Sequence, residues 1–172
     1  VLEFAQWLEK TPPSVTIKSI SWVVPLVQSI HIITIGIVFV SILMIALRVL
    51  GLVRMDEVFG AVMARFTPWI SRGLVVLAVT GATLVMGEPI REFMSLSFWL
   101  KMSLLTVGIL SALTFSRSLA PAAAAGGEPQ FSTATRSAAV VTVALWLTII
   151  FLGRAIAYDI EVWGAWSLSP RA

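Results

Sequence analysis

At 172 residues, 58% hydrophobic and with a mean hydropathy of +0.96, the chain is too apolar for an ordinary soluble domain and suits one compact bundle. It contains no cysteine, which removes disulfides, thiolate-held iron–sulfur clusters and CxxC redox centres within the chain. The net charge of +3 is spread over dispersed arginines and lysines without an aromatic-interleaved basic stripe. Phospholipid headgroups are therefore the expected counter-charge, and no nucleic acid partner is expected.

The chain opens with VLEFAQWLEKTPPS. Glu3 and Glu9 precede the first lysine and no small-residue cleavage pattern follows a short apolar core, so this does not read as a signal peptide. Leu2, Phe4, Trp7 and Leu8 instead predict a short interfacial helix over about 2–10, ended by Pro12 and Pro13.

Four apolar runs follow, and they predict transmembrane spans over about 22–49, 69–87, 97–117 and 134–157. The first, WVVPLVQSIHIITIGIVFVSILMIAL, carries no formal charge before Arg48 when His31 is neutral. It is long enough for a hydrocarbon core of about 30 Å. Next, RMDEVFGAVMARFTPW places Met55, Phe59, Val62 and Phe66 on one face, opposite Arg54, Asp56, Glu57 and Arg65. That pattern predicts an interfacial helix over about 54–66 lying flat between the first two spans.

Pro68 is placed to start the second span, and Gly87 with Pro89 to stop it. Trp69, Trp99, Trp163 and Trp166 sit where aromatic belts usually sit. LAPAAAAGGEPQFSTAT, between the third and fourth spans, reads as a linker of low complexity. The expected fold is thus all-α, an integral membrane four-helix up-down bundle in a single domain over 1–172, with short interfacial helices.

Four spans put both termini on one side. The two odd connections hold Arg48, Arg54, Arg65, Arg72, Arg117 and Arg136 against three acids, and the other side holds six basic residues against six acids. Of those six, Lys101 and Arg154 lie at membrane depth and Arg171 far from a span. The bias therefore puts the arginine-rich loops in the cytoplasm and both termini outside it.

Ionisable groups inside spans are costly and usually face protein, water or a ligand. His31 lies about 13 Å along the first helix, with Gln28 three residues before it on the same face. Up-down topology brings Glu88, Lys101, Arg154, Tyr158 and Asp159 to the same side, while the opposite half is expected to be far less polar. Gln28, His31, Glu88, Lys101, Arg154 and Tyr158 are the candidate ligand-binding layer, suited to a quinone headgroup, haem propionates, a lipid phosphate or a partner carboxylate. A plainer reading stands beside it. Lys101 and Arg154 also fit interface anchoring, and an interhelical hydrogen bond to a Ser, a Thr or a backbone carbonyl satisfies His31.

One histidine without cysteine cannot furnish a usual zinc or copper shell or bis-histidine haem ligation, and the methionines are scattered as packing. No catalytic triad, phosphate loop or HExxH occurs, so no catalytic residue is expected. Gly73, Gly81 and Gly87 give the second span a close-contact surface, with Gly36, Gly108 and Gly153 doing so elsewhere.

PLVQSIHI around His31, the Arg48 and Gly51 exit from the first span, FWLK with Lys101, and GRAIAY with Arg154 together resemble an uncharacterised family of small bacterial four-helix inner-membrane proteins. These are loosely similar in appearance to CopD-type copper-resistance and cytochrome-b-like membrane domains. The single histidine departs from a copper or cytochrome pattern. The resemblance implies a bacterial inner membrane, on whose periplasmic side the charge bias then places both termini, and fits an accessory subunit of a larger assembly.

Two functions stay open. The first is a noncatalytic membrane accessory subunit or small-ligand-binding protein, with a membrane-protein partner or as a homo-oligomer. The alternative is a redox component binding quinone or haem at the His31 layer. A transporter ranks third, for want of repeats or discontinuous helices.

Overall fold

A computed structural model of the chain describes residues 1–124 and 129–168, apart from the side chains of 113–116, 118 and 122. Among the described residues the fold is all-α: α1 (Leu2–Glu9), α2 (Pro12–Ser19), α3 (Val23–Val49), α4 (Phe59–Gly87), α5 (Pro89–Phe93), α6 (Leu96–Ala124), α7 (Thr133–Ala155) and α8 (Asp159–Trp163). Single 3-10 turns at Ile156–Tyr158 and Gly164–Trp166 flank α8. Three helical stretches are long and apolar enough to cross a membrane: Val23–Val49, Phe59–Gly87 and Thr133–Trp166. The fourth expected span falls in α6, whose apolar portion Leu96–Ala112 is shorter among the described residues. By this measure the described chain has three spans and not four.

Pro12 and Pro13 separate α1 from α2 by opening the second helix, where their missing N–H groups cost no helical bond. A Lys18–Glu9 ion pair then ties the two together. The ends of α3 and α4 follow the local chemistry. Gly51 takes φ +78° just after α3, and Pro89 begins α5 as α4 stops at Gly87.

The region 54–66 is not a separate helix lying flat. Residues 59–66 are the first turns of α4, which passes through Pro68 without a break, and 54–58 are a loop in which Arg54 has φ +51°. Burial decides this. Phe59 and Val62 are fully buried, and Phe59 packs with Ala46, Val49, Leu119 and Ala139, so the centre of the apolar stripe faces the bundle and not the headgroups, while Met55 stays exposed in the loop. Likewise Pro121 lies inside α6, which runs into the expected linker as far as Ala124. Residues 125–128 of that linker fall outside the described residues. Ser132 reopens the chain as the N-cap of α7, its hydroxyl accepting from the Thr135 N–H at 3.2 Å.

The long helices form a ring: α3 packs on α4 and α7, and α6 packs on α4 and α7. Near one end His31 of early α3 meets Thr80 of late α4; towards the other, Gly60 of early α4 meets Ala123 of late α6. Neighbours in the ring therefore run antiparallel. One apolar cluster, Ala46, Val49, Phe59, Leu119 and Ala139, fills the end away from His31, where Phe59 and Phe131 stack edge-to-face at 5.0 Å. A second, Val38, Ile42 and Trp146 with Leu74, Leu77 and Leu105 around it, fills the middle.

Candidate functional site

The His31 end of the bundle holds the candidate layer. His31 Nδ1 lies 2.7 Å from Thr80 Oγ1. The Thr80 hydroxyl has one proton and donates it to the Val76 carbonyl at 2.7 Å, so it accepts from the imidazole. Neutral His31 is thereby held as the Nδ1–H tautomer, with the Nε2 lone pair uncommitted among the described residues. Gly81, one residue beyond Thr80, leaves room for the ring: a Cβ there would sit 3.5 Å from His31 Cε1.

Lys101 enters from α6 and lies across α7 at Gly153, where a Cβ would stand 3.5 Å from Nζ and 3.7 Å from Cε. It makes no hydrogen bond or ion pair among the described residues, although its charge acts on both His31 and Glu92. Glu92, carried by α5, is 8% exposed, with Arg91 Nη2 at 3.5 Å from its carboxylate. Burial pushes its carboxyl above the ordinary range, against the opposing pull of Arg91 and Lys101.

The helical period puts Val38 two turns below His31, Leu105 one turn below Lys101, and Trp146 two turns below Gly153. Those deeper residues meet in the central apolar cluster. There the Trp146 indole, 3% exposed, has its N–H buried without a hydrogen-bond partner among the described residues. Such a donor normally finds an acceptor.

Other members of the expected layer stand apart. Glu88 pairs with Arg91 at the rim of a cleft outside the helix ring. Gln28 is exposed on the outer face of α3. Arg154 and Tyr158 are also exposed and satisfy each other, the guanidinium donating to the phenol oxygen at 3.3 Å and lying 5.3 Å from the ring centroid. That pairing fits an interface anchor.

Asp159, in contrast, is buried and locks α8 to the start of α6. Its carboxylate accepts from Ser95 Oγ at 2.7 Å, the Ser97 N–H at 3.0 Å and Ser167 Oγ at 2.6 Å, while the Trp163 indole donates to Ser97 Oγ at 2.8 Å. An acid at a helix N-terminus satisfies open N–H groups and suits the dipole, so α6 and its Lys101 are held from the outer end of the bundle, above the layer.

Sequence reasoning missed Thr80, Glu92 and Trp146. The available signals were a threonine seven residues from the end of a span, an acid beside Pro89, and a tryptophan far from either aromatic belt. The opposite end is also more polar than expected. Arg48, 2% exposed, donates to the Glu57 carbonyl at 2.9 Å and to Met55 Sδ at 3.2 Å, and Glu57 pairs with Arg54 and Arg65.

No grouping of three or more His, Asp or Glu side chains forms a metal site among the described residues. No curated protein and no solved structure shows a significant match to the chain. A family model does match, over residues 7–159, a stretch that includes every residue of the layer, and the chain belongs to that family, DUF6644, a family of unknown function.

Proposed function

We propose that this chain is a small-ligand-binding integral membrane protein, noncatalytic on its own, which serves as a subunit of a larger membrane assembly and takes an apolar, carbonyl-bearing ligand such as a quinone. One observation carries the reading. Two strong donors, the Lys101 ammonium and the Trp146 N–H, lack acceptors among the described residues, and the charge of the first reaches a histidine with one ring nitrogen uncommitted among them. Donors in so apolar a setting favour a ligand that supplies oxygen acceptors on a hydrophobic frame. Four crossings in a bacterial inner membrane, with both termini periplasmic, are part of the same proposal.

The test is gentle purification of the full chain, organic extraction and visible spectroscopy of one sample. A stoichiometric quinone that is depleted in both Lys101→Met and Trp146→Phe is the expected result. Haem bands in place of quinone would transfer the site to the redox alternative, with His31 as the axial candidate. A colourless, ligand-free protein bound to a stable partner would leave only the accessory role.

A further inference from the structure

A cleft of about 440 Å³ opens where five elements converge, lined by Glu9 of α1, Lys18 of α2, Val24 of α3, Gly87 at the end of α4, Glu88, and Ile90 and Arg91 of α5. Its charged lining consists of two ion pairs, Lys18–Glu9 and Arg91–Glu88. All four side chains remain partly exposed, from 36% to 45%. Val24, Gly87 and Ile90 supply an apolar floor. A Cβ on Gly87 would come within 3.1 Å of Val24 and 3.3 Å of Ile17, so the floor is closely packed and the free volume lies among the charges.

Depth fixes the setting. Val24 is in the first turn of α3 and Gly87 ends α4, so the cleft stands at the level where spans leave the hydrocarbon. Trp22, 62% exposed beside it, is the kind of residue that settles among headgroups.

We infer that this cleft binds a zwitterion bearing a phosphate and a primary ammonium, the chemistry of a phosphoethanolamine headgroup. Two cations and two anions give the lining no net charge. A purely anionic headgroup would leave Glu9 and Glu88 facing added negative charge, and a purely cationic ligand would do the same to Lys18 and Arg91. A dipolar ligand exchanges partners with both ion pairs and leaves the four lining charges matched: Lys18 and the Arg91 Nη1 turn to phosphate, Glu9 and Glu88 to ammonium, and the Arg91 Nη2 stays on Glu92. A primary ammonium brings three N–H donors to the carboxylates, whereas a trimethylammonium brings none, and among the described residues no aromatic ring lines the cleft to compensate.

The proposal is tested by native mass spectrometry of the full chain in detergent, titrated with phosphatidylethanolamine, its N-methyl and N,N-dimethyl forms, phosphatidylcholine and phosphatidylglycerol. Retention of the unmethylated lipid about tenfold above phosphatidylcholine and phosphatidylglycerol, falling with each methyl group, is expected of the unaltered protein. Glu88→Gln and Lys18→Gln, checked for helicity by circular dichroism, should each erase that preference, and Arg154→Gln should keep it. Soluble glycerophosphoethanolamine, a phosphodiester with the same net-neutral headgroup, distinguishes the sources. Binding to lipid-free protein at micromolar concentration assigns the site to the free zwitterion, and binding of the lipid alone assigns it to the bilayer; both agree with the proposal. Equal retention of all the lipids, or a preference that survives both cleft substitutions, overturns it.

Discussion

Lys101 crosses α7 at Gly153, a position where that helix carries no side chain, and this is how an ammonium comes to lie against a second helix with its charge felt at His31. The histidine itself is anchored through Thr80, whose hydroxyl both accepts from the ring and donates to Val76. Thr80→Val keeps the shape and deletes that acceptor. It should cost about 0.6–1.7 kcal/mol in thermal or denaturant unfolding of the detergent-solubilised protein, and it should release the imidazole to either tautomer, read from its ring-nitrogen NMR shifts. Glu92 gives a pH-dependent prediction. Because burial raises its carboxyl above the ordinary 4.5, the folded state binds that proton more tightly than the unfolded chain does. Its contribution is most favourable below 4.5 and is lost as pH climbs through the raised folded value. Glu92→Gln removes the titration, so the melting temperature of the variant minus that of the wild type should increase from pH 4.5 towards neutrality; a constant difference would rule the mechanism out. At this scale the site is partly legible from the residues alone. The depth of His31 and the kind of partner it needs follow from hydropathy alone, and Thr80 is of that kind. The outward positions of Gln28 and Arg154 depend on how each helix is rotated in the ring, which tertiary packing sets and a polar residue's depth does not disclose.

The elements show where local rules and packing part company. Pro68 has the local chemistry of a helix start, yet α4 runs through it, because burying Phe59 and Val62 outweighs the single ladder bond that proline forfeits. The glycines of α4 were legible as a contact surface for a simpler reason: close helix approach has few other solutions. At Gly73 a Cβ would stand 2.3 Å from Val38 Cγ2, so α3 and α4 meet there at a distance no larger residue permits. Gly36, on the same reasoning, was expected to do likewise and faces open space. Gly73→Leu should force the two helices apart at a cost of about 1–3 kcal/mol, measured against Gly36→Leu, which should change unfolding little. Asp159 belongs to this scale as well. Replacing it with alanine takes one of two caps from α6, leaving Ser95 Oγ on the Phe98 N–H, and orphans the buried Ser95 hydroxyl proton and Ser97 N–H, a loss of about 2–3 kcal/mol. Hydrogen exchange should show the first turn of α6 opening before the rest of the helix. Nothing in the spacing of a serine at 95 and an aspartate at 159 advertises that contact, since it joins residues far apart in the chain.

For the whole molecule the open quantity is the number of crossings, and the ring of helices bears on it directly. Asp159 and Ser95 fix the end of α7 beside the start of α6, and α1 packs on α5 at that same end. At the opposite end, Gly60 in the first turn of α4 touches the Ala123 carbonyl in the last turn of α6. α6 thus spans the same distance as α4, and at about 1.5 Å per residue both are long enough for a bilayer. If α6 crosses, α1 and α8 share a side; if it does not, they are separated by the membrane. The chain has no cysteine, so single replacements at exposed acids report this without background. Glu3→Cys and Glu161→Cys should react with a membrane-impermeant maleimide from one face of intact cells, and Asp56→Cys only after the membrane is opened. Labelling of Glu3→Cys and Glu161→Cys from opposite faces would reduce the crossings to three and detach α6 from the bilayer. Labelling of Asp56→Cys alone in intact cells would keep four crossings and invert them, carrying the His31 layer and the charged cleft to the cytoplasmic leaflet.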